Sequence, residues 1–287
     1  MVRQRADRVL MPESLRTAAE GFAGGHRLPV APRDAATVVL LRDGTDATGV
    51  SSGGPEVYLL RRHHQMAFAA GMAVFPGGGV DDRDRQSSFG DGSWVGPSAT
   101  SWADELNCDD ATARGLVCAA VRETFEESGV LLAGPDGDSV VADTTGDGWE
   151  SDRLALVAKQ VSLAAVLARR GLVLRTDLLH AWAHWITPDY EPRRYDTRFF
   201  VAVLPAGQRT RDVSTESAAV TWMAPAEAVA RANRGELAMM PPTVQTCAEL
   251  ARLSRASDAL LAAESRHILV IEPRLVLDDG QVWLERR

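Results

Sequence analysis

Arg122-Glu123-Thr124-Phe125-Glu126-Glu127-Ser128-Gly129-Val130 is the stretch on which the reading of this 287-residue chain turns. It ends a run, residues 111–128, whose periodicity predicts a helix. Asp109 or Asp110 can cap its first N–H groups, and Gly129 supplies a left-handed stop. Residues three and four apart share a helix face, so Glu123 lies beside both Glu126 and Glu127. Three carboxylates on one patch, near the negative pole of the helix dipole, repel one another. Arg122 is spaced to pair with Glu126, yet one cation does not neutralise three anions. A hard divalent ion with oxygen ligands resolves the conflict, and Mg²⁺ suits carboxylates shared with substrate phosphates. The other face carries Val117, Ala120, Val121 and Thr124. It is expected to pack on a sheet and hold the carboxylates outward.

Outward from this helix, strands and helices interleave, and the class expected is α/β. Residues 35–42 and 57–61 read as strands, and 73–75 as a third, stopped by Pro76-Gly77-Gly78-Gly79. The polar stretch 86–110, broken by Gly90, Gly92, Gly96 and Pro97, reads as a loop with one turn of helix at 101–106. A helix is expected over 151–170, ended by Gly171. Strands follow at 182–186, 197–204 and 218–223, then helices at 225–233 and 243–263. A closing hairpin at 268–284 turns at Asp278-Asp279-Gly280. Residues 1–33 read as an N-terminal leader with a short helix over 12–20, and residues 34–287 as the main domain. No internal repeat and no interdomain linker is visible.

Residues 122–130 follow R-E-U-x-E-E-x-G-U, with U bulky and apolar, and so resemble the second half of the Nudix box. Gly78 with five residues to Asp84 resembles its first half, G-x5-E, with Asp standing for Glu. Phe75-Pro76-Gly77-Gly78 is the usual lead-in. The sequence departs from the motif in two places. Thr124 takes the first U position, and 37 residues separate Asp84 from Arg122 where the motif has seven. Closure entropy grows only logarithmically with loop length, so a surface insertion of this kind is tolerated. A box interrupted in this way is similar to the acyl-CoA diphosphatase branch of the family. Gly71-x3-Phe75-Pro76-Gly77-Gly78 also matches the end of a CoA-associated signature, although Ala67 stands where that signature has Arg. Thr187-Pro188, Arg194-Tyr195-Asp196-Thr197 and Phe199-Phe200 look like the same branch. The resemblance runs from about residue 35 to about residue 250.

It implies an α/β/α sandwich around a mixed sheet, with N- and C-terminal helical additions. The activity implied is Mg²⁺-dependent hydrolysis, with Mn²⁺ as a substitute, of the pyrophosphate linkage in a nucleoside-diphosphate-linked compound. CoA or acyl-CoA is the leading substrate. A pyrophosphatase for ADP-ribose, NADH or FAD is the alternative, although S-Q-P-W-P-F-P and the proline expected at Thr145 are absent. A non-catalytic nucleotide sensor on the same scaffold is the reading from another class. By the resemblance, Glu123, Glu126 and Glu127 hold the metal, with the Gly78 carbonyl adding a ligand, and Arg122 orients the cluster. The proton acceptor is Glu126 or Glu127 within the box, or Glu216 outside it. Arg61 and Arg194 are candidates for substrate phosphates, with Arg62, Arg193 and Arg198 behind them, since a guanidinium forks well onto phosphate. His63-His64 suit a surface turn better than acid–base work, and Trp182 and Trp185 suit a core better than base stacking.

The rest of the composition sets bounds. About 45% of residues are hydrophobic and 24% charged, an ordinary globular balance. A net charge of −8, from 39 acidic and 31 basic residues, disfavours a dedicated nucleic-acid binder but not a small phosphorylated ligand. Cys108, Cys118 and Cys247 are widely spaced and form no CxxC pair, so neither a disulfide framework nor a zinc site is expected. No apolar run approaches the roughly 20 residues that span a bilayer. Arg3, Arg5 and Arg8 are not followed by an apolar signal region, and a cytoplasmic location is expected. The expected partner is a small nucleotide-linked substrate, with neither nucleic acid nor membrane; a homodimer is compatible with the sequence.

Overall fold

A computed structural model describes residues 8–11, 13–45, 51–63, 69–86, 89, 92–213 and 217–286. The chain begins with β1 (Arg8–Leu10) and a short 3-10 turn leading into α1 (Arg16–Ala23). It then enters β2 (Arg33–Thr45) and β3 (Ser51–Arg62), an antiparallel pair. Along β2 the side chains part by the period of two. Val38 and Leu40 enter one core and Val39 and Leu41 the other, all four completely buried. Each such burial contributes about 1.5–3 kcal/mol. That split makes the sheet the middle of three layers.

Past Leu41 and Val57, β2 and β3 splay, and the segment between them fills the wedge. β4 (Ala73–Val74) pairs with β3 and β5 (Gly77–Gly79) with β2, while the Pro76 carbonyl accepts Val38 N–H at 2.8 Å. The triple glycine was expected only to stop a strand. It is itself a strand, because its pairing depends on a distant neighbour rather than on local propensity.

α2 (Asp82–Arg85) follows, capped by Asp81, and then β6 (Trp94–Val95) and α3 (Ala99–Leu106). Ser98 caps α3, and Asn107 ends it in the left-handed conformation. The stretch expected to be a passive surface loop therefore contributes to the core. Trp102, Ala103 and Leu106, on one helical face, are buried beside α4 (Asp110–Ser128). Asp109 caps α4 and Gly129 closes it at φ 74°, as the sequence implies.

Beyond β7 (Ala133–Gly134), the helix expected over 151–170 is two: α5 (Asp147–Val157) and α6 (Leu163–Arg170). Ser162 accepts Ala165 N–H and starts a new helix inside an unbroken apolar period. β8 (Val173–Arg175) lies between β6 and β7 in a small sheet that ties the box insertion to this region. β9 (His180–Ile186), β10 (Tyr195–Val203) and β11 (Ser217–Met223) complete most of the main sheet.

α7 (Pro225–Asn233) forms where expected, while the helix expected over 243–263 divides into α8 (Pro241–Leu250) and α9 (Ala256–Glu264). The Asp258 carboxylate accepts Ser254 and Arg255 N–H groups and so founds α9. β12 (Val270–Ile271) adds to the sheet edge, and β13 (Arg274–Asp278) with β14 (Gln281–Glu285) form the terminal hairpin.

The main sheet runs β11-β3-β2-β10-β9-β12, with β10 parallel to β2 and antiparallel to β9. α3 and α4 cover one face; α7 to α9 cover the other, with Ala228, Cys247, Leu250 and Ala259 buried there. This is the α/β/α sandwich around a mixed sheet. Among the described residues before β2, β1 pairs with β14, and Ala19 of α1 packs on Leu275 and Val282 of the terminal hairpin. Among the described residues, no helix is long and apolar enough to cross a membrane.

Candidate active site

The two halves of the motif meet at Arg122. Its guanidinium, largely buried, donates to Asp84 from Nε at 3.0 Å and from Nη2 at 2.8 Å. Nη2 also donates to the Gly79 carbonyl at 3.0 Å, and Nη1 to Glu123 at 2.7 Å and Glu126 at 3.2 Å. The i,i+4 pairing with Glu126 was expected; the embrace of Glu123 and Asp84 was not. Asp84 serves twice, since its carboxylate also accepts Asp81 N–H at 2.9 Å and so closes the capping box of α2.

β5 is pressed against the carboxylates. Gly77 N–H donates to Glu127 Oε2 at 2.8 Å. A Cβ built on Gly78 would meet the Glu123 carboxylate, so any larger residue there would displace that side chain. Val117, Ala120, Val121 and Thr124 are fully buried on the other side of α4, as expected. The carboxylates, by contrast, do not stand outward in solvent. Glu126 is 9% and Glu127 8% exposed, because β5 and α2 close over them. Burial, with the charge of Glu123 beside it, raises Glu126 to about 7.

Three carboxylates, Asp84, Glu123 and Glu126, thus surround the Arg122 guanidinium, with Glu127 held at Gly77, and an excess of negative charge remains. Every donor is a hard oxygen. Among the described residues, no three His, Cys, Asp or Glu side chains form a ready-made metal shell. Mg²⁺ is typically held by one or two carboxylates and completed by water and substrate phosphates, so this donor set fits it.

Of the other expected residues that are described, Arg194, Arg198 and Trp182 have bonding partners elsewhere in the protein. Arg61 is exposed on β3, opposite Ala73 of β4. Arg194, expected at a substrate phosphate, is engaged inside the protein. Its side chain is 3% exposed and donates to the Thr187 and Val30 carbonyls and to Glu272 at 2.6 Å, holding three segments together. Glu216 and His64 lie outside the described residues; His63 and Arg193 are exposed. Arg198 is buried, bonded to Asp196 and the Leu106 carbonyl. Trp182 and Trp185 are core residues, and Trp182 donates to Glu249 at 3.1 Å.

Sequence reasoning missed Arg153 and Arg211, which bond to the last turn of α4 from outside the motif. The one local signal for Arg153 is the helical face that it shares with Trp149 and Glu150.

Known proteins resemble this chain in sequence and in fold. A model of the NUDT19 Nudix domain matches residues 98–253. The acyl-coenzyme A diphosphatase NUDT19 of Gallus gallus is 28% identical over 264 aligned residues, covering 79% of this chain and 70% of that protein. Its Homo sapiens namesake is 28% identical over 241, covering 71% and 63%. The chain spans between 57% and 70% of the length of four curated relatives that it matches. A crystal structure of a Nudix hydrolase from Alicyclobacillus acidocaldarius superposes with a TM-score of 0.64 at 30% identity, covering 81% of this chain and 96% of that one. By the matched domain, by this superposition and by the reassembled box, the chain belongs to the Nudix hydrolase family.

Proposed function

We propose that this chain hydrolyses the pyrophosphate linkage of a small nucleoside-diphosphate-linked compound. CoA or acyl-CoA is the first candidate, giving a phosphopantetheine and adenosine 3′,5′-bisphosphate. The observation that carries the reading is the closure of the box at Arg122, which sets Gly77–Gly79 against Glu123 and Glu127 despite the insertion. The relatives named acyl-coenzyme A diphosphatases support the substrate class.

Glu123, Glu126 and Glu127, with the Gly78 carbonyl, would hold Mg²⁺, or Mn²⁺ in its place. When bound, such an ion polarises phosphate oxygens and lowers the pKa of a coordinated water. Arg122 keeps the carboxylates in register, being bonded to two of them and anchored by Asp84. Burial by β5 and α2 limits water around the reacting phosphorus and strengthens every charge interaction there. A carboxylate takes the proton of the attacking water, with Glu126 and Glu127 inside the box and Glu216 beyond it as candidates. Arg61, exposed beside β4, is the candidate for a distal phosphate.

The test is a side-by-side assay of CoA, acyl-CoA, ADP-ribose, NADH and FAD with Mg²⁺ and with a chelator. Turnover of CoA compounds well above the others, lost with chelator, is expected. Preference for ADP-ribose, NADH or FAD would overturn the substrate, and saturable binding without product would overturn the enzyme.

A further inference from the structure

The last carbonyls of a helix find no partner further along it. At the end of α4, groups from three other segments supply the donors. The Glu126 carbonyl accepts Arg153 Nη1 at 2.8 Å, and the Ser128 carbonyl accepts Arg211 N–H at 2.8 Å. The Gly129 carbonyl accepts the Thr144 hydroxyl at 2.6 Å. These donors are linked to each other. Arg153 meets Glu150 at 2.5 Å, and the second oxygen of Glu150 meets Arg211 at 3.0 Å. The Arg211 guanidinium lies over Gly129, where a Cβ would stand 2.7 Å from Nε. On the same face of α5, Trp149 meets Phe125 edge-on at 6.2 Å, and Arg170 lies over the Trp149 ring at 3.6 Å. Phe125 sits in the box between Glu123 and Glu126. α5 thus braces the box helix from behind, through both its backbone and its packing.

We infer that Arg153 is a positioning residue for the metal-binding carboxylates: it fixes the last turn of α4 through the Glu126 carbonyl and so sets where Glu123, Glu126 and Glu127 point. The inference rests on reading those glutamates as metal ligands. Two effects of Arg153 oppose each other. Its charge repels a nearby divalent ion, while its hydrogen bonds hold the ligands in place. Glu150, in direct contact, cancels most of that charge. The side chain is only 4% exposed, so its loss leaves the Glu126 carbonyl without a donor and without ready access to water. Positioning therefore dominates, and losing Arg153 weakens metal binding.

The test measures Mn²⁺ binding to the full chain by the electron paramagnetic resonance of free Mn²⁺, with circular dichroism as the check on folding. Arg153→Met is expected to weaken binding about 10-fold, the usual size for a group that orients a ligand from behind. Arg153→Lys, which keeps the charge but not the fork, is expected to weaken it about threefold. Wild-type or tighter binding by a folded Arg153→Met protein overturns the inference, since that is the result of charge alone. If Arg153→Met does not fold, Arg153→Lys, which leaves the charge unchanged, decides. Binding about threefold weaker supports the brace, and unchanged binding overturns it. Failure of the wild-type chain to bind Mn²⁺ overturns the ligand assignment itself, and the inference with it.

Discussion

Asp84 and Arg122, 38 positions apart in the chain, form a buried ion pair at 2.8 Å, and that pair joins two half-motifs into one site. The insertion between them is accommodated because α2 and the end of β5 remain where Arg122 can reach both Asp84 and the Gly79 carbonyl. Removing the Asp84 charge takes from Arg122 a charge-assisted anchor worth about 1.5–3 kcal/mol, while Glu123 and Glu126 still neutralise the guanidinium. Asp84→Asn is therefore expected to lower unfolding free energy by that amount in urea titrations. It should also lower turnover, because Arg122 loses its anchor. An unchanged urea midpoint would mean that the box is held together in some other way.

Glu127 lies where Gly77 N–H meets the carboxylate patch. Glu127→Gln keeps the shape and removes the charge, so it is expected to reduce turnover roughly 10²–10⁴-fold while the fold survives. Turnover close to wild type, with normal circular dichroism, would remove Glu127 from the metal and proton-transfer roles.

Glu126 gives a dependence on pH. Burial and the neighbouring charge of Glu123 raise its folded-state pKa to about 7, above its value in the unfolded chain. Between the ordinary glutamate value near 4.3 and about 7, the unfolded chain releases a proton that the folded one keeps. Stability of the metal-free protein therefore falls across that window and stops falling above it. Glu126→Gln lacks the penalty. Its stability in chelator should match wild type near pH 4.5, within the usual effect of a partly buried amide, and exceed it by on the order of 3 kcal/mol above pH 7. A difference that does not change with pH, read from urea unfolding at several pH values, would contradict this assignment.

Trp102 tests whether the insertion is structural. It is buried against α4, and its ring meets Phe200 of the sheet edge-on at 5.7 Å. Trp102→Ala should cost about 3–5 kcal/mol in urea unfolding. A cost below about 1 kcal/mol would return the insertion to the status of a dispensable loop.

Much of this was legible in the sequence, and for local reasons. The β-branched run at residues 35–42, the Asp109 cap and the Gly129 stop each act on neighbours, so α4 and its three glutamates could be placed from spacing alone. What escaped was tertiary. The pairing of Gly77–Gly79 depends on β2, and the burial of Glu126 and Glu127 depends on β5 and α2 closing over them. The bonds of Arg194 to Val30 and Glu272 could not be foreseen, because both lie far from it in the chain. Ser162 and Asp258 divide two helices whose apolar periods run on without a break, since a cap can outweigh periodicity where packing allows a turn. Arg153 carried no motif at all, and its role follows only from seeing which carbonyl it reaches.

The central claim is that this crowded, oxygen-rich cluster cuts a pyrophosphate bond. The most direct measurement is ³¹P nuclear magnetic resonance of CoA incubated with the full chain and Mg²⁺. The diphosphate resonances should give way to two new monophosphate resonances in equal amount, and chelator or Glu127→Gln should stop the change. A diphosphate signal that persists with Mg²⁺ present, from CoA and from ADP-ribose, NADH and FAD alike, would contradict the claim outright.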